Sequence, residues 1–132
     1  MLAGGGRMGR ITTHILDTTH GCPAAGVAIR LISVGEAREQ VAAAVSNADG
    51  RTEKPLLEDT SKVPVTFEDA SKVTGTFELE FDIGDYFRDR NAAMDDPAFL
   101  DTVVIRFTVK ADEHYHVPLL CSPWAYSTYR GS

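Results

Sequence analysis

Cysteine is scarce in this chain. Two thiols, Cys22 and Cys121, occur in 132 residues, with no metal-type spacing between them. That count excludes a disulfide scaffold and a zinc ribbon, and leaves free thiols of a reducing, cytoplasmic compartment as the expectation. Positive charge is in deficit: 13 Lys and Arg stand against 19 Asp and Glu, a net charge of −6. A nucleic-acid partner is argued against on that balance. No apolar run approaches the ~20 residues of a membrane span, so no membrane partner is expected. The opening MLAGGGRMGR also lacks the apolar stretch of a secretory signal. What is present is ordinary for a globular domain, with 43% hydrophobic and 24% charged residues. The length suits one domain with its own core. Residues 1–9 read as a flexible leader and residues 10–132 as that domain; a start at Met8 would give a more usual chain.

Alternation with a period of two runs through the domain. Residues 11–16 alternate loosely and close on the turn cluster Asp17-Thr18-Thr19-His20-Gly21. Residues 27–34 place Val27, Ile29, Leu31 and Ser33 on one face and Ala28, Arg30, Ile32 and Val34 on the other, which is strand grammar. Residues 40–46 predict another strand, closed by Asn47-Ala48-Asp49-Gly50, where Asp-Gly is a turn signal. Residues 76–81, 102–109, 115–122 and 125–130 complete the series, and residues 84–93 predict the one short helix, with Pro97 behind it. Seven or eight short strands with turns between them imply an all-β sandwich. An open sandwich has edge strands, which invite pairing with another chain, so an oligomer is expected.

One segment is duplicated. EDTSKVPVTF at residues 58–67 and EDASKVTGTF at 68–77 agree at seven of ten positions. Two copies are too few for a solenoid, and Pro64 disfavours a central strand in the first copy. The segment reads as an exposed extension without chemical function.

The chemistry concentrates at the C-terminal end. His114-Tyr115-His116 precedes a strand-like run, and the chain finishes in Tyr129-Arg130-Gly131-Ser132. An aromatic ring and a guanidinium directly behind a strand point to a site rather than a fraying tail. Upstream, His14 shares a strand face with Thr12 and Leu16, whereas His20 sits in a turn and reads as solvated. Two neutral imidazoles and two guanidiniums suffice for a metal-free hydrolytic site: one ring takes a proton from water, an arginine stabilises the oxyanion, and the other ring relays or donates a proton. Arg51, after the Asp49-Gly50 turn, is able to swing over a sheet face. His-x-His at 114 and 116 also permits a zinc site, though no carboxylate is fixed beside it by spacing. No serine sits in a nucleophile elbow.

ITTHILDTTHGCPAAGVAIRL, SNADGRT, LEFDIGDYF and HYHVPLLCSPWAYSTYRGS together resemble the transthyretin-related proteins that act as 5-hydroxyisourate hydrolases. The similarity runs from Ile11 to Ser132, and the terminal Tyr-Arg-Gly-Ser is its most specific part. The resemblance implies a sandwich of two four-stranded sheets with one short helix. It implies catalytic roles for His14, Arg51 and His116, and substrate-binding roles for Ser122, Tyr129, Arg130, Gly131 and Ser132. It further implies a homotetramer, a dimer of dimers with sites in a channel between dimers, and no cofactor or metal. The implied reaction is hydrolysis of 5-hydroxyisourate to 2-oxo-4-hydroxy-4-carboxy-5-ureidoimidazoline in urate catabolism. A non-enzymatic carrier of small molecules on the same fold is the alternative. The chain departs from the family pattern at the duplicated segment, at Trp124-Ala125 and at Cys121; Trp124 reads as a packing or interface residue.

Overall fold

A computed structural model describes residues 9–58, 74–110 and 113–131. Ser132, nearly all of the leader and most of the duplicated segment lie outside the described residues. In chain order the elements are β1 (Ile11–Asp17), β2 (Cys22–Pro23), β3 (Ala28–Val34), β4 (Arg38–Val45), β5 (Thr74–Phe81), α1 (Ile83–Asp89), β6 (Val103–Lys110), β7 (Tyr115–Cys121) and β8 (Tyr126–Thr128). They form two four-stranded sheets, ordered β2-β1-β7-β8 and β4-β3-β5-β6. The expected all-β sandwich with one short helix is the observed architecture. None of the helices among the described residues is long and apolar enough to cross a membrane.

The period-two pattern decides which side chains go inward. β1 buries Ile11, Thr13, Ile15 and Asp17 and leaves Thr12, His14 and Leu16 half-buried on the outer face. From the second sheet Phe77, Leu79 and Phe81 of β5 join Ile29 and Leu31 of β3, and all five are buried. With Leu119 and the helix residues Ile83, Tyr86 and Phe87 they make one core. Each fully buried large apolar side chain contributes about 1.5–3 kcal/mol. β1 and β7 run parallel, and their register sets Thr12 beside His116 and His14 beside Pro118. The other strand pairs are antiparallel.

Three local expectations are corrected. β2 escaped the period-two reading because two residues carry no pattern; it exists through its pairing with Leu16 and Asp17. The helix ends at Asp89 instead of residue 93, where Asn91 takes a positive φ of 53° and the Arg90 and Ala92 amides fold back onto the Phe87 carbonyl. The duplicated segment is not wholly an exposed extension, because its last four residues, Thr74 to Phe77, open β5 and Phe77 is fully buried.

His20 is also more than a solvated turn residue. Its Nδ1 lies 2.6 Å from Asp17 Oδ2, and its backbone amide donates to Oδ1. The Tyr86 hydroxyl donates to the same carboxylate at 2.7 Å. Burial pushes the Asp17 carboxyl toward its neutral form, but the bonds from His20 and Tyr86 outweigh burial and hold it below the usual carboxylate range. Both cysteines are free. Each is a direct neighbour of Asp17, Cys22 on β2 and Cys121 on β7, on opposite sides of β1. Two strand spacings put them about 9–10 Å apart, beyond disulfide reach. Burial pushes the Cys121 thiol up to about 12.

Candidate active site

The outer face of the β1–β7 pair carries the chemistry. Arg10, Thr12, Arg51, His114, Tyr115 and His116 line a cleft of about 590 Å³. Parallel register explains half of this set: Thr12 and His116 are direct neighbours, and Arg10 precedes Thr12 by one strand period. His14 follows on the same face, about 8 Å from His116 by strand spacing and rise.

Arg51 arrives from a different part of the sequence. After β4 the chain does not turn back as a hairpin. It forms a tight loop in which Asn47 Oδ1 accepts the Asp49 and Arg51 amides, and the Asn47 amide donates to the Arg51 carbonyl at 2.7 Å. Gly50 adopts φ +75°, and a Cβ there would collide with the Ile15 carbonyl oxygen. Glycine alone therefore lets the loop approach β1 closely enough for the Ile15 amide to reach the Gly50 carbonyl at 2.8 Å. The chain then flanks the start of β1 through the bridge between Ile11 and Leu57. Arg51, the next residue after Gly50, is thereby set at the mouth of the cleft.

His116 is the best-defined side chain of the group. Its Nδ1 lies 2.9 Å from Thr12 Oγ1, and its backbone carbonyl accepts the Gly131 amide at 2.8 Å. Burial, then the Arg51 guanidinium and the His14 ring, hold the imidazole below its ordinary pKa and so favour the neutral base. His114 is fixed by the Arg10 amide, which donates to its Nδ1 at 3.1 Å. A neutral His114 therefore carries its proton on Nε2.

The remaining sequence candidates divide. Gly131 meets this site: a Cβ built on it would stand 2.6 Å from His116 Cδ2. Arg130, one residue earlier, is on the other side of the sheet. Its guanidinium lies 4.2 Å from the centre of the Tyr115 ring, and Tyr115 faces inward. Arg130 also donates to Glu113 Oε1 at 3.0 Å and to the His114 carbonyl at 3.2 Å. Tyr129 is exposed and, with Arg130, borders a separate cavity of about 380 Å³ between the edges of the two sheets. Ser122 shapes the turn from β7 to β8, bonding to the Ala125 amide and carbonyl. It is six residues from His116, about 20 Å along the strand. Within one chain the structure does not bring Ser122, Tyr129 or Arg130 into the cleft. Ser132 lies outside the described residues. Arg10 and Thr12 were missed as site residues, although their parity with His14 was the available signal. Among the described residues no group of three or more His, Cys, Asp or Glu is placed to hold a metal ion.

A family model of the HIUase/Transthyretin family matches residues 11–131. The chain belongs to this family. A 5-hydroxyisourate hydrolase of Pseudomonas aeruginosa is 48% identical over 127 residues, covering 95% of this chain and 93% of the relative. One from Deinococcus radiodurans is 51% identical over 124 residues, covering 92% and 95%. Among solved structures, Klebsiella pneumoniae 5-hydroxyisourate hydrolase superposes with a TM-score of 0.70 at 31% identity, covering 95% of this chain and all of the other. An (S)-allantoin synthase gives a TM-score of 0.82 at 40% identity over 95% of this chain, but this chain spans only 44% of its length.

Proposed function

We propose that this chain is a 5-hydroxyisourate hydrolase acting without a metal or other cofactor. The observation that carries the reading is the convergence of His116, Thr12 and Arg51 on one cleft, with His14 close enough to disfavour His116 protonation. The hydrolases similar over nearly the full chain support the same reading. The small-molecule carrier is the weaker reading, since a carrier does not call for a neutral imidazole beside a guanidinium.

The chemistry follows from these side chains. With Nδ1–H donating to Thr12 Oγ1, His116 presents Nε2 as the base that takes a proton from water. The water oxygen bonds to a ring carbonyl carbon of 5-hydroxyisourate. Arg51 stabilises the oxyanion that forms. The ring C–N bond then breaks, the nitrogen receives a proton from the His14–His116 pair, and the former carbonyl becomes the carboxyl group of 2-oxo-4-hydroxy-4-carboxy-5-ureidoimidazoline. Substrate plus one water equals product, so no redox partner is needed. Arg10 and the His114 Nε2–H donor line the same wall and suit a carbonyl-rich heterocycle.

The active form in this reading is a homotetramer, a dimer of dimers with its sites between dimers. The edge strands β6 and β8, and the exposed rings of Trp124, Tyr126 and Tyr129, supply surface for it. Ser122 and Tyr129, outside their own chain's cleft, reach a substrate only across such an interface. Two free thiols beyond disulfide reach fit a cytoplasmic location.

The test is ultraviolet absorbance of freshly generated 5-hydroxyisourate, followed against its spontaneous decay. Wild-type protein should accelerate the decay. His116→Ala should lose about two to four orders of magnitude in rate with the fold intact. No acceleration by the wild type, or a fully active His116→Ala, removes the assignment. Light scattering should give about four times the 14.3 kDa chain mass.

A further inference from the structure

We propose that Arg130 acts as a positioning residue: gripping Glu113 and Tyr115 on the inner side of the sheet, it holds Gly131 against the His116 imidazole on the outer side. This rests on the hydrolase reading above, and it gives Arg130 a role other than substrate contact.

Strand parity makes the arrangement possible. Consecutive residues point to opposite faces, so one short segment can be anchored through Arg130 and deliver Gly131 to the other side. The anchor has three points: Glu113 Oε1 at 3.0 Å, the His114 carbonyl at 3.2 Å and the Tyr115 ring at 4.2 Å. Tyr115 is itself fixed, because its hydroxyl accepts the Lys110 amide at 2.9 Å. The delivered contact has two points: the Gly131 amide on the His116 carbonyl, and an approach to the ring so close that a Cβ on Gly131 would stand 2.6 Å from Cδ2. β8 ends at Thr128, so the strand ladder stops two residues before Arg130. The arginine grip and the isolated bridge between His116 and Gly131 take over from there.

Each anchor is weak alone, since exposed ion pairs and cation–π contacts contribute little singly. A planar guanidinium nevertheless meets an anion, a carbonyl and a ring at once, which an ammonium does not. Held in place, the segment keeps water from one side of His116, and burial is the largest cause of that ring's neutrality. The other charged or titratable groups around the ring are His14 on β1, Arg51 on the loop after β4, Arg10 ahead of β1 and His114 ahead of β7.

Arg130→Gln and Glu113→Gln, separately and together, test the proposal by steady-state hydrolysis and by NMR titration of the His116 ring. Each single change should lower kcat about tenfold, less than the ~100-fold of a 1 Å displacement, with KM near wild type. The double variant should fall no further than the worse single one, because the two residues act as one grip. The titration separates position from charge. Removing the Arg130 cation alone would raise the His116 pKa through its field, and removing the Glu113 anion alone would lower it. Only admission of water moves both variants upward, and that is the expected result. Shifts of opposite sign, a raised KM at unchanged kcat, or wild-type behaviour in both variants would each overturn the proposal. If the wild type fails to hydrolyse 5-hydroxyisourate, the hydrolase reading falls, and the titrations still decide the grip.

Discussion

Adding one methyl group at Gly131 is the sharpest perturbation the site offers. The Gly131 backbone is outside the left-handed region that requires glycine, so Gly131→Ala introduces no backbone strain. Its effect comes from contact alone. The new Cβ would stand 2.6 Å from His116 Cδ2, where ordinary contact begins at 3.4 Å, so about 0.8 Å must be found. The 3.2 and 3.3 Å approaches to Cγ and Cβ of the same residue resist a simple ring rotation. Either the imidazole moves off its Thr12 partner or the segment lifts away and admits water. Both displace or re-solvate the proposed base. A misplacement near 1 Å costs about 100-fold, so kcat should fall about 30- to 100-fold in the ultraviolet assay. The fold should barely notice: a change under ~1 kcal/mol shifts Tm by less than about 4 °C in a domain of this size. Gly131→Ala with wild-type kcat would show that the ring position is irrelevant to rate, and would refute the placement of His116 as the base.

Three further outcomes follow. Arg51→Lys keeps the cation but loses the planar fork and should lower kcat/KM about 100-fold by steady-state kinetics, as expected for a lost oxyanion donor; full activity would leave Arg51 a bystander. Because burial, Arg51 and His14 depress the His116 pKa, the neutral base persists into more acidic solution, and the acid limb of kcat/KM should fall below the ordinary histidine value of 6.5. Asp17→Asn should destabilise by about 2 kcal/mol in urea unfolding at neutral pH, since Tyr86 and His20 lose a charged acceptor. The Asp17 pKa is lower in the fold than in the unfolded chain. Its contribution is therefore present above the unfolded value of ~3.9 and lost as pH falls through the folded value, so the wild-type advantage should vanish in acid.

The architecture was legible because most strands bury one face. Ile29 and Leu31 or Phe77, Leu79 and Phe81 recur at a spacing of two, and that spacing has one structural meaning. β2 was not legible, since two residues cannot display a period. It pairs with Leu16 and Asp17, which β7 flanks on the other side. The site divides in the same way. His14 and Thr12 share a face by parity within one strand, and the sequence shows it. That His116 sits beside Thr12 depends on a parallel pairing of residues 104 positions apart, which no local pattern encodes. Arg51 depended on the Asp-Gly turn, which was recognised, and on where the loop docks, which was not. The close approach of Gly50 to the β1 backbone joins a loop after β4 to a strand of the other sheet.

Parity also separates the residues of the terminal motif within one chain. Tyr129, Arg130 and Gly131 were treated as one group aimed at one substrate. An extended segment alternates, so neighbours in such a motif serve opposite sides by default. Gly131 faces His116, and Arg130 faces Tyr115 and Glu113. Charge at Arg130 suggested substrate contact, yet its guanidinium bonds within the chain to Glu113 and the His114 carbonyl, whereas the residue without a side chain stands against the proposed base. In an extended motif, then, the chemically conspicuous residue need not be the one at the reacting centre. Alternation assigns it to the opposite face whenever its neighbour is in the site, and the Arg130 and Glu113 variants measure that division directly.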